Sequence, residues 1–158
     1  DSFETIKAID ASIKNKQSTY IRITGGANNP IVYNSDYKFE IGKSIKLIDG
    51  DDITIFSCGT MVHNAIEASK ILKEKNIKAK VVNMHTIKPI DEKAIEDSLS
   101  SKLLVSIEEH NVVGGLGSAI SECLSSFANT PRLLSLGIKD EYSKGGEYKY
   151  LLARLFFK

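Results

Sequence analysis

Residues 52–86, DITIFSCGTMVHNAIEASKILKEKNIKAKVVNMHT, decide the fold. DITIFSC (52–58) is an apolar run of strand length rich in β-branched and aromatic side chains. Gly59 and Thr60 then open a helix through about residue 75, with Thr60 as the expected cap. Ala65, Ile66, Ala68, Ser69 and Leu72 lie close to one face of it, and their mostly small size predicts close packing on a sheet. Asn76 ends the helix, and KAKVVNMHT (78–86) reads as a second strand. Strand, helix, strand at this spacing is a βαβ unit, with two parallel strands and a right-handed crossover.

The same alternation continues toward the C-terminus. In IKPIDEKAIEDSLS, Pro89 punctuates, and Asp91 caps a short helix from Asp91 to Ser98. KLLVSIEE (102–109) is a third strong strand, HNVVGGLG a glycine-rich turn, Ser118 to Ala128 a helix and PRLLSLGI (131–138) a strand. EYSKGG is a loop, and Glu147 to Phe157 forms a last amphipathic helix that must bury Leu151, Leu152, Leu155 and Phe156. Toward the N-terminus, SIKLIDG (44–50) reads as a short strand and turn. Residues 25–43 have no sustained period and are long for a connection, so they mark a domain boundary. Before them, STYIRIT (18–24) reads as a strand and residues 3–14 as an amphipathic helix carrying Phe3, Ile6, Ile9 and Ile13. The expected architecture is α/β: a three-layer α/β/α domain on a five-stranded, mostly parallel sheet, with one antiparallel edge strand.

Composition narrows the function classes. Among 158 residues, 21 Lys and Arg face 20 Asp and Glu, so a net charge of +1 supplies no global field for nucleic acid or an anionic membrane. No apolar run approaches the roughly 18 residues that would span a bilayer. The opening residues DSFETIKAID carry no visible signal peptide. Cys58 and Cys123 form no CxxC or disulfide framework, and His63, His85 and His110 are scattered, too few for a structural zinc site. A reducing, cytoplasmic setting with both thiols buried fits this usage.

Three places could carry chemistry. Ser57-Cys58-Gly59-Thr60-Met61 sits where a strand becomes a helix, so its N–H groups could hold an anion, although a tight turn explains it more cheaply. Gly114-Gly115-Leu116-Gly117 has neither GxGxxG nor GxxxxGK[ST] spacing, and close packing of a helix start on the sheet accounts for the glycines. Glu108, Glu109 and His110 end a parallel-type strand, where open α/β sheets take ligands. A Glu109/His110 pair could tune an imidazole toward neutrality, yet no nucleophile stands in a recognisable context beside it. The tyrosines Tyr142, Tyr148 and Tyr150 gather near the C-terminus, for docking on the domain's own sheet or on a second chain. Lys144, Lys149 and Arg154 alternate with Glu147 and make no nucleic-acid patch.

Taken together, Thr86-Ile87-Lys88-Pro89-Ile90-Asp91, then Glu108-Glu109-His110 followed by Gly114-Gly115-Leu116-Gly117, and the ending GIKDEYSKGGEYKYLL resemble the C-terminal domain of transketolase. Tyr20-Ile21-Arg22-Ile23 is similar to the last strand of the preceding pyrimidine-binding domain in that family. The resemblance implies three parts: residues 1–24 as the remnant of the pyrimidine-binding domain, 25–43 as the interdomain linker and 44–158 as the C-terminal domain. It implies a parent enzyme of the pentose phosphate pathway that moves a two-carbon ketol unit between sugar phosphates with thiamine diphosphate and magnesium. The expected partners are the N-terminal and pyrimidine-binding domains, on the same or a separate chain, in a homodimer. The family's G-D-G…N motif and its catalytic glutamate lie in earlier domains, and Asp49-Gly50-Asp51 is not that motif. No catalytic, cofactor-binding or metal residue is therefore carried over, no cofactor is expected on this chain alone, and the isolated chain is expected to be inactive and structural. A deoxyxylulose-phosphate synthase or a 2-oxo-acid dehydrogenase β subunit, and a stand-alone anion- or nucleotide-binding domain working near Thr60 and Gly115, remain the alternatives.

Overall fold

The strand Ile53–Ser57 (β2) lies at the centre of the sheet, and its apolar run explains why: both of its faces are covered. The computed structural model describes residues 1–24, 29–142 and 145–156, without the side chains of Lys149 and residues 154–156. Its elements are α1 (Ser2–Lys14), β1 (Ile45–Ile48), β2, α2 (Met61–Glu74), β3 (Ala79–Asn83), α3 (Glu92–Glu96), β4 (Leu103–Asn111), α4 (Leu116–Leu124), β5 (Leu133–Ile138) and α5 (Tyr148–Phe156). The sheet order is β1-β3-β2-β4-β5. β1 pairs antiparallel with β3 at one edge, and every other pairing is parallel, with Ile53 opposite both Ala79 and Leu103.

Alternation along the strands separates two cores. Ile55, Val81 and Val105 point to one face and meet Ala65 of α2 and Ala79. Phe56, Val82, Met84 and Leu104 point to the other and meet Ile95 of α3 and Leu116, Ile120 and Leu124 of α4. Asp91 caps α3 as expected, accepting from the Ala94 N–H at 3.4 Å. The fold expectation stands: a five-stranded, mostly parallel α/β sheet with the antiparallel strand at an edge.

Several details differ. Residues 18–24 pair with no strand; Tyr20 and Ile23 are exposed, and Arg22 reaches the Glu109 carbonyl instead. β4 runs on through His110 to Asn111, so less of the glycine-rich stretch is loop than expected, and α4 starts at Leu116 rather than Ser118. Residues 29–43 form no helix or strand, in line with the linker pattern. Residues 25–28 of that stretch, and the side chains of Leu155 and Phe156 expected to be buried, lie outside the described residues, as do Lys144 and the side chains of Lys149 and Arg154. Leu151 and Leu152 are half-buried. Cys58 and Cys123 are free and half-buried rather than fully buried, because both sit at the margin of the α3/α4-side core.

Helix α1 is amphipathic as expected, but none of its residues is buried. Phe3, Ile6, Ile9 and Ile13 face solvent, the last with 75% of its surface exposed.

Phe56 fills the centre of the larger core with no exposed surface. Phe56→Ala should cost about 3–5 kcal/mol, measured as a lower urea midpoint with unchanged slope.

Candidate functional site

Neighbouring strands β2 and β4 lead into helices on opposite faces, α2 on one side and α4 on the other. The carboxyl ends of these strands therefore border the topological switch point, where an open α/β sheet offers a ligand crevice. Ser57 to Thr60 and Glu108 to Gly115 form its two lips.

Both lips are engaged by the chain itself. Glu108 is 2% exposed, and its two carboxylate oxygens accept from the Leu116 N–H at 2.7 Å and the Gly117 N–H at 3.0 Å. These are the free N–H groups that open α4 and that would otherwise take an anion. Gly115 makes this possible. A Cβ there would run into the Glu108 carboxylate and come within 2.8 Å of the Asn111 carbonyl oxygen. Gly115 serves this internal carboxylate, and the N–H groups of residues 116 and 117 that could have held an anion are already taken.

The next residue turns the other way. Glu109 Oε2 accepts from the Thr60 hydroxyl and from the Tyr148 hydroxyl, the latter at 2.7 Å, and the Glu109 carbonyl accepts from Arg22 Nη2 at 3.4 Å. Glu109 so joins the start of α2, helix α5 and the segment before the linker. Burial, together with the Glu109 carboxylate, raises the Tyr148 phenol, while the Thr60 hydroxyl works against that shift. Thr60 is the N-cap residue of α2, but its side chain does not cap as expected, since the hydroxyl is spent on Glu109. The expected Glu109/His110 pairing is likewise replaced: Glu109 engages Thr60 and Tyr148, while His110 Nδ1 lies 2.9 Å from the Asn111 carbonyl oxygen. Burial, then the nearby Glu108 carboxylate, pushes the Cys58 thiol up to about 12, so it is not a ready nucleophile. His63 is half-buried on α2.

A diphosphate-metal group does not fit here. The donor set at both lips is carboxylate, the wrong charge for a diphosphate, and among the described residues no three His, Cys, Asp or Glu side chains cluster as metal ligands. No step of the chemistry is derived through such a group on this chain.

Sequence reasoning missed a second polar system. It runs along the connection from the end of β3 to α3. Asn83, 1% exposed, donates to the Tyr33 hydroxyl at 2.5 Å and to the Glu4 carboxylate, which also accepts from Tyr33 at 3.0 Å. Burial, then the Glu4 charge, raises the Tyr33 phenol, and the same two causes raise that of Tyr37, stacked on Tyr33 at 3.9 Å. His85 stacks on Phe39 with ring centroids 4.0 Å apart. Gly42, at φ +82°, brings its backbone onto Pro89, where a Cβ would stand 3.0 Å from Pro89 Cγ. Asp91 accepts from the Ser44 N–H at 2.7 Å and the Ser44 hydroxyl at 2.9 Å. The string 86–91 thus receives residues 42–44. Its regular spacing was visible in the sequence, but its partners lie about 47 residues away along the chain.

A five-stranded, mostly parallel sheet of this order, with helices on both faces, is an open, doubly wound α/β domain. The family described as "Transketolase, C-terminal domain" matches residues 42–157, and the chain belongs to that family. A protein described as a transketolase C-terminal section, from Methanocaldococcus jannaschii, is 38% identical over 154 residues, covering 96% of this chain and 48% of the relative. An apulose-4-phosphate transketolase subunit of Phocaeicola vulgatus is 37% identical over 143 residues, covering 89% of this chain and 45% of the relative. A split-gene transketolase solved as an inactive β4 tetramer is 36% identical with a TM-score of 0.73, over 80% of this chain and 40% of that chain. The chain therefore spans about half the length of the curated relatives it matches.

Glu108→Gln would turn an NH2 group toward one of the two N–H donors. It should cost about 1–3 kcal/mol, read as a drop in Tm. Gly115→Ala should cost a similar amount through steric conflict with the same carboxylate, and the two losses should not add, because they break one contact.

Proposed function

We propose that this chain serves as the C-terminal assembly section of a transketolase, a transferase that moves a two-carbon ketol unit between sugar phosphates. In this reading residues 1–24 belong to the pyrimidine-binding domain, 25–43 are the interdomain linker and 44–158 are the C-terminal domain. Thiamine diphosphate and magnesium, which supply the electron sink for C–C cleavage when bound, are held by the earlier domains. The natural partners are those domains, on the same chain or a separate subunit, in a cytoplasmic homodimer. The isolated chain does not turn over.

The observation that carries the reading is the closure of the switch point. Glu108 takes the α4 N–H groups and Glu109 takes the α2 cap hydroxyl, so the place where this fold would bind an anion is filled from within. Family membership over residues 42–157 supplies the enzyme class. The apolar stripe of α1 and the unpaired residues 18–24 fit the remainder of a domain whose other parts cover them. What this chain contributes to the reaction is placement: Arg22 reaches the Glu109 carbonyl, and the linker lies on residues 83–91, so the preceding part is held in a fixed relation to the sheet.

The test is reconstitution. The purified chain, given thiamine diphosphate, Mg²⁺, a ketose phosphate donor and an aldose phosphate acceptor, should form no transfer product. Adding a polypeptide that carries the G-D-G…N motif and the catalytic glutamate should restore turnover if the sections are separate chains. Product formed by this chain alone would overturn the proposal.

A further inference from the structure

The linker packs on the domain through an aromatic ring that can gain a charge. His85 follows β3, lies face to face with Phe39 of the linker, and directs Nδ1 to the Thr86 hydroxyl at 2.9 Å. Its Nε2 is buried without a hydrogen-bond partner. A buried nitrogen with no acceptor opposite it tolerates a lone pair far better than an N–H⁺. Beyond Phe39 the linker is held by contacts independent of the His85 ring, Gly42 on Pro89 and Ser44 on Asp91, and before it by the Tyr33 hydroxyl on Asn83 and Glu4.

The geometry points to His85 as a proton-sensitive catch: the neutral ring holds Phe39 and the residues beside it against the end of β3, and protonation releases them, while Ser44 stays on Asp91.

The groups that face the catch support this order of events. From the start of α3, Asp91 is the charged group that reaches His85, and it favours the imidazolium. Lys43 of the linker lies near Asp91 in turn, and from the linker side the ring meets Phe39. Burial outweighs Asp91 and pushes the His85 ring down to about 4 from its ordinary 6.5. Burial also acts on Asp91, but the Ser44 N–H and hydroxyl win and hold its carboxyl below the usual carboxylate range. Asp91 therefore stays charged, and its bond to Ser44 intact, through the interval in which His85 gains its proton. The docked state is the one with the depressed value, so the contribution of His85 to docking is fully present above about pH 6.5 and is lost as the pH falls toward 4. The docking equilibrium loses about a factor of ten per pH unit across that interval, on the order of a hundredfold in all.

The experiment is a two-dimensional NMR titration of the whole chain from pH 7.5 to 4, following the His85 and Phe39 ring signals, with Ile120 as a reporter of the core. The expected result is a His85 midpoint far below 6.5. The Phe39 signals should move to free-chain positions as the pH falls through the interval, while Ile120 stays put. His85→Phe keeps a ring for the stack and removes the titration, so its Phe39 signals should hold their docked positions throughout. A His85 midpoint near 6.5 in the unaltered chain would overturn the inference, and this needs no variant to fold. So would Phe39 signals that stay docked down to pH 4, or that are released at the same pH in His85→Phe.

Discussion

One buried carboxylate organises the carboxyl end of this sheet. A fully desolvated charge without partners would be prohibitive, so Glu108 can sit at 2% exposure only because two helix N–H groups point at it. Those groups in turn need an anion, since the first turn of α4 has no side-chain cap at Gly115. Each requirement meets the other. Gly115 is then forced, because any side chain would occupy the carboxylate's place, and Gly117 lies so close to Ser106 and Ser135 that the helix rests directly on β4 and β5. Gly115 thus follows from an electrostatic contact and Gly117 from close packing of the helix on the sheet.

The adjacent glutamate shows how strand geometry multiplies that arrangement. Successive strand residues face opposite sides, and the helices after β2 and β4 lie on opposite sides as well. Glu108 and Glu109 can therefore serve the starts of α4 and α2 from consecutive positions. Glu109 also receives Tyr148, which ties α5 to the same point. A sequence read for catalysis sees two acids and a histidine in a row. Placed on a strand at a switch point, the two acids are structural partners of two different helices.

The βαβ core was legible in the sequence because its cause is local. The run from Ile53 to Ser57 and the small-residue face of α2 carry their period within a few residues, whereas the strand order had to come from the structure. Residues 18–24 show the limit of that logic. Their composition suits a strand, yet a strand exists only beside another, and these residues pair with none. The candidate site was legible as a place and not as a role. Glu108, Glu109 and the glycines stood out, but whether a carboxylate meets a ligand or a helix depends on the direction of its side chain. The ridge from Asn83 to Asp91 was hidden for a different reason: its partners Glu4, Tyr33, Phe39 and Ser44 come from far upstream, and nothing in a polar residue's identity names a partner at that distance.

Helix α1 reverses the usual way a helix attaches. An amphipathic helix normally docks by its apolar face and leaves its polar face to water. Here Glu4 is held by Asn83 and Tyr33, and Lys7 pairs with Asp36 at 2.5 Å while lying over the Tyr37 ring, so the polar face is the docked one. Phe3, Ile6, Ile9 and Ile13 are left outward. The exposed Lys7–Asp36 pair contributes little on its own in water. Asn83 is different, because it is buried and its amide loses the Glu4 acceptor if α1 leaves. The buried amide thus fixes which face of α1 looks inward, and with it the direction in which the apolar stripe is presented. A helix oriented by polar contacts on one side leaves its hydrophobic side exposed, the reverse of the usual balance between burial and hydration.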